Sequence, residues 1–435
     1  MEKRKRFYST RKRQQEFAVL LGVNRSKKKY SEDYDFLDSF KELHALVCAA
    51  GGIPSLDFVQ NLPHPHPKYY LGKGKLEEVA GIVQANNLDM CVVDDELSPN
   101  QHRTLSQVLG IKVIDRTHLI LDIFAARAHS HLGKVQVELA QLKYLFPRLI
   151  GMWTHFEKQE GAIGTRGPGE TQLETDKRLL RKRILFLEKQ LEKISVQHAE
   201  QRKQRQKTFQ PLFSLVGYTN AGKTSILNFL AGQSLKEDDA VFTTLDATSR
   251  KVKLSNHKEV IVSDTVGFIQ RIPHTLITSF KTTLEEVILA DCLLHVIDVS
   301  DARLEEKMDT VEQTLKEIMA SGIKVPILHV FNKVDLWTNR SEEFALSHLH
   351  APAVFVSCKH GSGREEMLIA IEEMVQKTMQ CFTFKLPVHE EKLVHELYEY
   401  GMVETRRIVD ESIVISAHVG ERLFKKFQKF QVDEY

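Results

Sequence analysis

Residues 217–224 of this chain read GYTNAGKT, a segment whose residue types suit it to holding phosphate groups. Glycines let successive backbone N–H groups turn toward phosphate oxygens, a lysine adds positive charge, and a threonine hydroxyl can bind Mg²⁺. An apolar strand over 212–216 precedes the segment, and a helix with an apolar face follows it. This context predicts a nucleoside triphosphate site formed by Gly217, Tyr218, Thr219, Asn220, Ala221, Gly222, Lys223 and Thr224.

A second motif, NKVD at 332–335, follows a predicted strand and indicates which base the site accepts. Asp335 can accept hydrogen bonds from both the N1–H and the N2–H₂ groups of guanine, whereas adenine offers no such pair of donors. The SCK triplet at 357–359 ends a further strand, where a backbone N–H of Cys358 or Lys359 can meet guanine O6. The two motifs together predict GTP, bound at the base by Asn332, Lys333, Val334, Asp335, Ser357, Cys358 and Lys359.

Two segments between these motifs predict a switch that responds to the γ-phosphate. The DTVG run at 264–267 ends a strand, so that Asp264 can hold Mg²⁺ through water and the Gly267 N–H can hold the γ-phosphate. The FTTLD run at 242–246 contains Thr244, which we expect to close over Mg²⁺, with Thr243 as the competing choice. The two runs add to the predicted GTP site Phe242, Thr243, Thr244, Leu245, Asp246, Asp264, Thr265, Val266 and Gly267.

The predicted reaction is GTP hydrolysis with Mg²⁺ as cofactor. The expected catalytic residues are Lys223, Thr244 and Gly267, and the expected Mg²⁺ ligands are Thr224, Thr244 and, through water, Asp264. Phe268 stands where many GTPases carry a glutamine that orients the attacking water. Since a phenyl ring cannot hydrogen-bond water, we expect hydrolysis to be slow until a partner assists it. At Asn220 we hypothesise a second cofactor, a K⁺ ion bound beside the phosphates.

Composition limits the class of protein that carries these motifs. The chain has 435 residues, 27% of them charged and 42% hydrophobic, which is typical of a soluble protein of two to four domains. The net charge is +2, so attraction to nucleic acid must come from local patches. Five cysteines without C-x-x-C spacing make disulfides and zinc unexpected. Because no apolar run reaches the ~20 residues of a membrane span, we expect a cytoplasmic protein without stable membrane insertion, peripheral membrane association staying open.

The elements that position the motifs predict an α/β fold: a P-loop GTPase domain with an N-terminal α/β domain, a helical coiled-coil arm and a small C-terminal α+β domain. Alternating helices and short apolar strands, such as 90–94 and 112–115, indicate a parallel sheet in the N-terminal domain. A stripe of Leu180, Ile184, Leu187, Leu191 and Ile194 predicts a long helix paired antiparallel with one that ends near 147. The predicted divisions are a basic, loosely ordered tail (1–35), the N-terminal domain (36–130), the arm with its glycine-rich loop (131–207), the GTPase domain (208–378) and the C-terminal domain (379–435).

Four motifs mark the N-terminal half of the sequence: YLGKGKLEE at 70–78, DRT at 115–117, QVELAQL at 136–142 and, above all, GTRGPGETQLE at 164–174. In these motifs the sequence resembles the HflX family of ribosome-associated GTPases. The switch segments at 242–246 and 264–268 also match, and the resemblance covers roughly 37–359. Departures are Leu132 where the family tends to be acidic, Ala162 beside Gly161, and Cys358 in place of alanine.

The resemblance implies a factor that binds the 50S ribosomal subunit and the 70S ribosome and splits stalled ribosomes under stress. It places the loop between the arm helices, residues 160–170, near the peptidyl-transferase centre. Glycines let the backbone approach folded RNA, and an arginine can stack on a base or pair with phosphate. The predicted contacts with ribosomal RNA are Lys73, Lys75, Gly164, Arg166, Gly167 and Gly169. The alternatives are an ordinary flexible turn at the glycines and a solvated turn at the lysines.

Three functional interpretations remain open at the sequence level. The first is a GTP-hydrolysing factor that splits ribosomes and acts as a monomer. The second is a GTPase that assists ribosome assembly or RNA modification. The third is a binding module whose GTP or GDP turns over negligibly, an interpretation that Phe268 keeps open. The basic N-terminus is equally compatible with a solvated tail and with an arm that touches phosphate backbone.

Overall fold

The computed structural model describes residues 15–25, 33–148, 168–205, 209–232, 242, 248–255, 258–269, 287–319, 325–337, 343–409 and 412–432. These residues belong to two compact units. The first unit contains 1–126 and 137–187, and the second unit contains 127–136 and 188–435.

The first unit is built on a four-stranded parallel sheet of order β2-β1-β3-β4, as the alternation of helices and short strands predicts. Apolar side chains of the strands and of the helices that cover them form its core. The strands are β1 (Phe17–Asn24), β2 (Ile53–Asn61), β3 (Met90–Val93) and β4 (Lys112–Asp115), and the helices are α1 (Asp33–Ala49), α2 (Lys73–Ala85), α3 (Pro99–Leu109) and α4 (Arg116–Arg127).

Strand β1 corrects the prediction of a loosely ordered tail over 1–35, which was wrong for residues 17–24. The strand is internal to the sheet, pairing with β2 on one side and β3 on the other. All residues from Ala18 to Asn24 are buried. The continuous apolar run FAVLLGV at 17–23 is typical of a strand buried on both faces. It directly follows a basic segment, and the basic residues dominate the composition of residues 1–35 as a whole.

Two helices follow, α5 (His131–Leu145) and α6 (Pro168–Arg205). The predicted stripe is the least exposed face of α6, with Leu187 buried and its other members half-buried. Arg183 of α6 donates two hydrogen bonds, of 2.7 and 2.9 Å, to the carboxylate of Glu138 on α5. Helix α6 begins at Pro168, so residues 168–170 are helical rather than part of the predicted loop. Antiparallel packing along the whole arm stays a prediction.

The second unit contains the doubly wound sheet that the phosphate-binding motif requires. Its order is β10-β9-β8-β5-β7-β6, and the β6–β7 pair is its antiparallel edge. Edge strand β6 was not predicted because its sequence, TSRKVK, is mostly polar. The elements are β5 (Leu212–Gly217), α7 (Lys223–Ala231), β6 (Thr248–Lys253), β7 (Glu259–Asp264), β8 (Cys292–Asp298), α8 (Leu304–Ile318), β9 (Ile327–Asn332), α9 (Glu343–Leu349), β10 (Ala353–Phe355) and α10 (Arg364–Lys377).

The second unit ends in a small antiparallel sheet of order β12-β13-β11-β14, which confirms the predicted α+β class. Phe384, Leu397 and Phe427 lie fully buried between the sheet and its helices. Arg422 forms a 2.8 Å ion pair with Asp291, which precedes β8. The elements are β11 (Gln380–Pro387), α11 (Glu391–Tyr400), β12 (Met402–Val409), β13 (Ser412–Val419), α12 (Glu421–Phe427), a 3₁₀ turn (Gln428–Phe430) and β14 (Gln431–Val432).

Candidate nucleotide site

The phosphate-binding segment connects the carboxyl end of β5 to the first residue of α7. Strand β5 is central in the sheet, between β8 and β7, and its residues from Phe213 to Gly217 are buried. Gly217 has φ +152°, and a Cβ atom there would lie 2.3 Å from the backbone oxygen of Val296. Only glycine fits at this close approach of the β5 backbone to the β8 backbone. The loop therefore leaves the sheet at a fixed place and delivers its N–H groups to the N-terminus of α7.

The side chain of Lys223, the first residue of α7, reaches back to this loop. Its Nζ donates to the backbone oxygens of Gly217 at 3.1 Å and Tyr218 at 2.8 Å. Burial lowers the pKa of Lys223 to about 8, and the nearby Asp264 carboxylate opposes this shift. The protein offsets only part of the free-energy cost of burying the Lys223 ammonium group. A negatively charged phosphate beside it would therefore stabilise the charged form strongly.

A hydroxyl and a carboxylate meet beside the lysine. Thr224 Oγ1 donates a 2.7 Å hydrogen bond to Oδ2 of Asp264, which ends β7 and is fully buried. The Thr224 hydroxyl on α7 and the Asp264 carboxylate at the end of β7 both offer oxygen atoms near the N-terminus of α7. Such a pair fits Mg²⁺, which prefers oxygen ligands and keeps several water molecules. The structure thus brings together two of the predicted Mg²⁺ residues, and the third, Thr244, lies outside the described residues.

The segment after Asp264 is attached to the phosphate loop by backbone hydrogen bonds. Phe268 N donates to Gly217 O at 3.1 Å, and Thr219 N donates to Phe268 O at 2.7 Å. Thr265 Oγ1 donates to Leu215 O at 2.6 Å. The ring of Phe268 is buried, at 2% exposure. We call this pairing of Phe268 with the phosphate loop the Phe268 bridge.

Gly267 approaches the lysine closely. A Cβ atom at Gly267 would lie 2.9 Å from Lys223 Nζ and 3.0 Å from Thr219 Cα. The predicted γ-phosphate contact and the predicted phosphate-binding lysine are therefore neighbours in space. A group that moves Lys223 or the phosphate loop must also affect the Phe268 bridge, which is the geometry that a γ-phosphate switch needs.

The guanine-reading motif is joined to the phosphate loop by side chains. Asn332 Nδ2 donates to Ala221 O at 3.0 Å, and Lys333 Nζ donates to Asn220 O at 2.9 Å. Lys333 also pairs with Asp298 at 2.7 Å. These contacts fix the distance between the base-binding and phosphate-binding parts of the site. Asp298 was not predicted, although its place at the carboxyl end of β8 is where ligand-site residues of such sheets lie.

Asp335 is held as an ionised acceptor. Ser357 Oγ donates to Asp335 Oδ1 at 2.5 Å, and His360 Nε2 lies 3.7 Å from Oδ2. The hydrogen bond from Ser357 is the main cause that lowers the pKa of Asp335. Ser357 was predicted only as part of a base-contacting turn, and in the structure its side chain orients Asp335. Within that turn Cys358 is half-buried and Lys359 is exposed.

Other predicted residues lie apart from this site or outside the described part of the chain. Thr243, Thr244, Leu245, Asp246, Gly164, Arg166 and Gly167 lie outside the described residues, whereas Phe242 is described and buried. Gly169 is in the first turn of α6. Lys73 and Lys75 lie in the first turn of α2, where Lys75 pairs with Glu78 at 2.8 Å. Tyr70, which precedes them in the sequence, is buried and donates a hydrogen bond to Asp95 at 2.8 Å, so its ring is not a surface contact.

Comparison with known proteins identifies the family of this site. Family models match along the chain: GTP-binding GTPase N-terminal over 37–125, GTP-binding GTPase Middle Region over 127–205, and 50S ribosome-binding GTPase over 213–333. The GTPase HflX of Caldanaerobacter subterraneus subsp. tengcongensis is 40% identical over 418 residues, 96% of this chain and 94% of that protein. The chain belongs to the HflX family. It is therefore a GTPase, with a GTPase domain of the ribosome-binding class.

A second relative agrees with this placement. The GTPase HflX of Escherichia coli is 40% identical over 387 residues, 88% of this chain and 90% of that protein. Among solved structures, a GTP-binding protein from Sulfolobus solfataricus in complex with GDP matches 82% of this chain and 98% of its own, at 24% identity and a TM-score of 0.45. Within the described residues of this HflX-family chain, no helix has the length and apolarity to cross a membrane.

Proposed function

We propose that this HflX-family GTPase binds the 50S subunit and the 70S ribosome in its GTP state and splits stalled ribosomes under stress. Family membership and the match to a 50S ribosome-binding GTPase support the target. The Phe268 bridge supports control by nucleotide, because it joins the segment after Asp264 directly to the predicted phosphate-binding loop. This bridge is the structural observation on which the proposal depends most.

In this proposal each residue of the site has a distinct task. Lys223 neutralises charge on the β- and γ-phosphates, and the Gly267 N–H binds the γ-phosphate. Thr224 and Thr244 would hold Mg²⁺, with Asp264 holding it through water, and the ion would supply positive charge to the transferring phosphoryl group. Asp335, oriented by Ser357, selects guanine.

Hydrolysis on the isolated protein is expected to be slow. The buried ring of Phe268 cannot orient the attacking water, and its backbone is engaged with Gly217 and Thr219. We propose that the ribosome supplies or positions the missing group, so that hydrolysis follows binding and then releases the factor. We further propose that the chain acts as a monomer in the cytoplasm.

A K⁺ ion at Asn220 is a separate element of the proposal. Asn220 is exposed, has φ +61°, and its backbone oxygen accepts from Lys333, so the residue sits where the two halves of the nucleotide site meet. We expect faster ribosome-stimulated hydrolysis in potassium chloride than in sodium chloride, and an Asn220→Ala variant should respond equally to the two salts. Equal rates for the natural protein would remove K⁺ from the mechanism.

Contacts with ribosomal RNA are proposed for two segments of the first unit. Lys73 exposes 72% of its side chain and Lys75 exposes 29%, so Lys73 is the better placed to reach phosphate. Gly164, Arg166, Gly167 and Gly169 are proposed as the second contact, on the family resemblance. Loss of Lys73 should weaken ribosome binding with a smaller salt dependence, since one phosphate contact fewer releases fewer counterions.

The deciding experiment is sedimentation of intact 70S ribosomes incubated with the protein and a non-hydrolysable GTP analogue. We expect a shift from 70S to separate subunits, no shift with GDP, and no shift with a Lys223→Ala variant. The GTPase rate should also rise manyfold with 50S particles. If 70S particles stay intact while 50S particles or precursor subunits still raise the rate, the second candidate holds, a GTPase that assists ribosome assembly or RNA modification. No stimulation by any ribosomal particle would refute both.

A further inference from the structure

Three side chains with metal-binding atoms converge on the C-terminal sheet, far along the chain from the nucleotide motifs. Cys381 is on β11, Glu404 on β12 and His418 on β13. His418 Nε2 lies 2.7 Å from Glu404 Oε1, and Cys381 Sγ lies 3.7 Å from Glu404 Oε2. One ligand atom from each of the three residues lies within 4.8 Å of the other two. Within the described residues this is the one such group.

The sheet register explains why these residues meet. Cys381 and His418 are directly opposite each other in the β11–β13 pair, so their side chains share a face. In the β12–β13 pair Met402 is opposite His418, and the register shifts between Val403 and Thr405, which leaves Glu404 as the extra residue of a bulge opposite Ala417 and Ser416. A bulge of this kind re-aims a side chain. The central strand β13 therefore carries a ligand with one partner on each neighbouring strand.

The face that carries them is the one turned away from the core. Along β13, Ala417 and Val419 are buried and His418 between them is not. Cys381 and Glu404 are exposed. The ligand atoms are therefore reachable from solvent, and a water molecule can complete a coordination shell.

We propose that Cys381, Glu404 and His418 bind a Zn²⁺ ion, with water as the fourth ligand. A thiolate, an imidazole and a carboxylate are the three side-chain types that bind zinc, and this mixture is unlike the all-oxygen sets of Mg²⁺ or Ca²⁺. With zinc bonds of about 2.0–2.3 Å, tetrahedral ligand atoms lie about 3.3–3.8 Å apart. The distance of 3.7 Å from Cys381 Sγ to Glu404 Oε2 lies in this range. His418 Nε2 contacts the other carboxylate oxygen, Oε1, at 2.7 Å, so a small side-chain adjustment must bring one oxygen of Glu404 into this range from both other ligand atoms.

The spacing of the cysteines makes zinc unexpected from the sequence, because these ligands lie far apart along the chain and meet only in the folded sheet. The ligands are separated along the chain by 23 and 14 residues, with no C-x-x-C pair. Strand pairing, not a local loop, brings them together. An ion here would cross-link three of the four strands, β11, β12 and β13. Strand β12 begins directly after Gly401. The carbonyl of Gly401 accepts a hydrogen bond from Lys258, which lies in the part of this unit that contains the nucleotide motifs.

The test is metal binding by the full-length protein, purified under reducing conditions and stripped with a chelator. Zn²⁺ is titrated by calorimetry and against a chromophoric chelator, without nucleotide or Mg²⁺. Co²⁺ is then titrated as a spectroscopic probe, because thiolate ligation gives a charge-transfer band in the near ultraviolet. We expect one ion per chain and a thiolate band that added Zn²⁺ displaces.

The variants separate this site from other metal-binding groups. Cys381→Ser should abolish the thiolate band, and His418→Ala and Glu404→Gln should each weaken Zn²⁺ binding at least ~10-fold. Cys48→Ser is the matched control, since Cys48 is also exposed but lies on α1, and it should bind as the natural protein does. Circular dichroism checks the fold of each variant. A thiolate band that survives in Cys381→Ser, or no stoichiometric Zn²⁺ binding by the natural protein, would overturn the proposal.

Discussion

Two sheets in this molecule, one parallel and one mostly parallel, place charged residues at the carboxyl ends of their parallel strands, and those charges have different partners. In the first unit, Asp94 after β3 and Asp115 at the end of β4 face buried arginines. Arg116 donates to Asp94 at 2.7 Å and also pairs with Glu42. Arg148 lies 3.6 Å from the Asp115 carboxylate. In the second unit, the corresponding edge presents the phosphate loop and Lys223, whose charge is partly compensated by carbonyl oxygens and by Asp264.

The difference teaches what turns a sheet edge into a nucleotide site. In the first unit the carboxylates belong to a buried network in which arginine supplies the opposite charge, so the arrangement specifies structure. In the second unit a cation is buried at the N-terminus of a helix, where anions bind favourably. The protein itself balances the charges of the first arrangement, whereas we expect a bound phosphate group to balance the charge of Lys223 in the second. Substitutions at the two edges should therefore affect different quantities.

The largest effect is expected on base selection. Replacing Asp335 by asparagine leaves one acceptor and one donor where guanine needs two acceptors, and removes the ionised carboxylate that Ser357 orients. We expect GTP affinity to fall by about 10³-fold or more, and xanthosine triphosphate, which has an acceptor in place of the guanine amino group, to bind better than GTP. Titration with fluorescent nucleotide analogues measures both.

Ser357→Ala is the companion variant for Asp335→Asn. It keeps the carboxylate and removes its orienting hydrogen bond, so GTP affinity should fall only about 10-fold and the preference for guanine should remain. An Asp335→Asn protein that still prefers GTP would mean that the base is read elsewhere.

The next largest effect should fall on stability at the first edge. Arg116→Ala leaves Asp94 and Glu42 without their buried cation, and such a loss costs about 3–5 kcal/mol. We expect the first unit to unfold at a lower denaturant concentration, while the basal GTPase rate of folded protein stays the same. Arg25→Ala is the control: it breaks an ion pair with Asp95 in which the arginine is half-exposed, worth about 0–1 kcal/mol. Equal effects from the two variants would argue against a buried network.

Lys223→Ala should produce the reverse pattern at the second edge. GTP affinity should fall about 10- to 100-fold because a charged hydrogen-bond donor to phosphate is lost. Stability without nucleotide should hold or rise, since the variant no longer buries an ammonium group. Thermal unfolding with and without GTP measures both quantities in one experiment. A strong loss of stability without nucleotide would show that Lys223 serves the fold and would contradict the contrast between the edges.

The parts of the molecule that the sequence predicts are those whose information is local. The phosphate loop, the strand before it and the helix after it are contiguous, so one segment specifies all three. The Lys333–Asp298 and Ser357–Asp335 contacts join separate strand ends, and no spacing rule connects them. Strand β1 was missed because the basic residues around it outweighed a short apolar run. The Cys381, Glu404 and His418 cluster depends on register and on a bulge, which pattern reading does not supply.

The smallest effect is a pH dependence that also distinguishes the two edges. The pKa of Lys223 is lowered by burial from 10.5 to about 8, so between these values the unfolded chain holds a proton that the folded chain lacks. Stability without nucleotide should therefore rise with pH across this window. Phosphate binds the protonated amine, so GTP affinity should fall as the pH rises through about 8, by up to about 10-fold per pH unit.

Lys223→Met controls for this pH dependence, because any ionisation of guanine itself affects both proteins alike. The difference between the two affinity profiles isolates the lysine. Arg116 in the first unit should contribute nothing to that difference, since its guanidinium group stays charged throughout the pH range in which Lys223 loses its proton. If GTP affinity depended on pH in the same way in the natural protein and in the methionine variant, the buried charge of Lys223 would not contribute to nucleotide binding. The proposed difference between the two sheet edges would then be wrong.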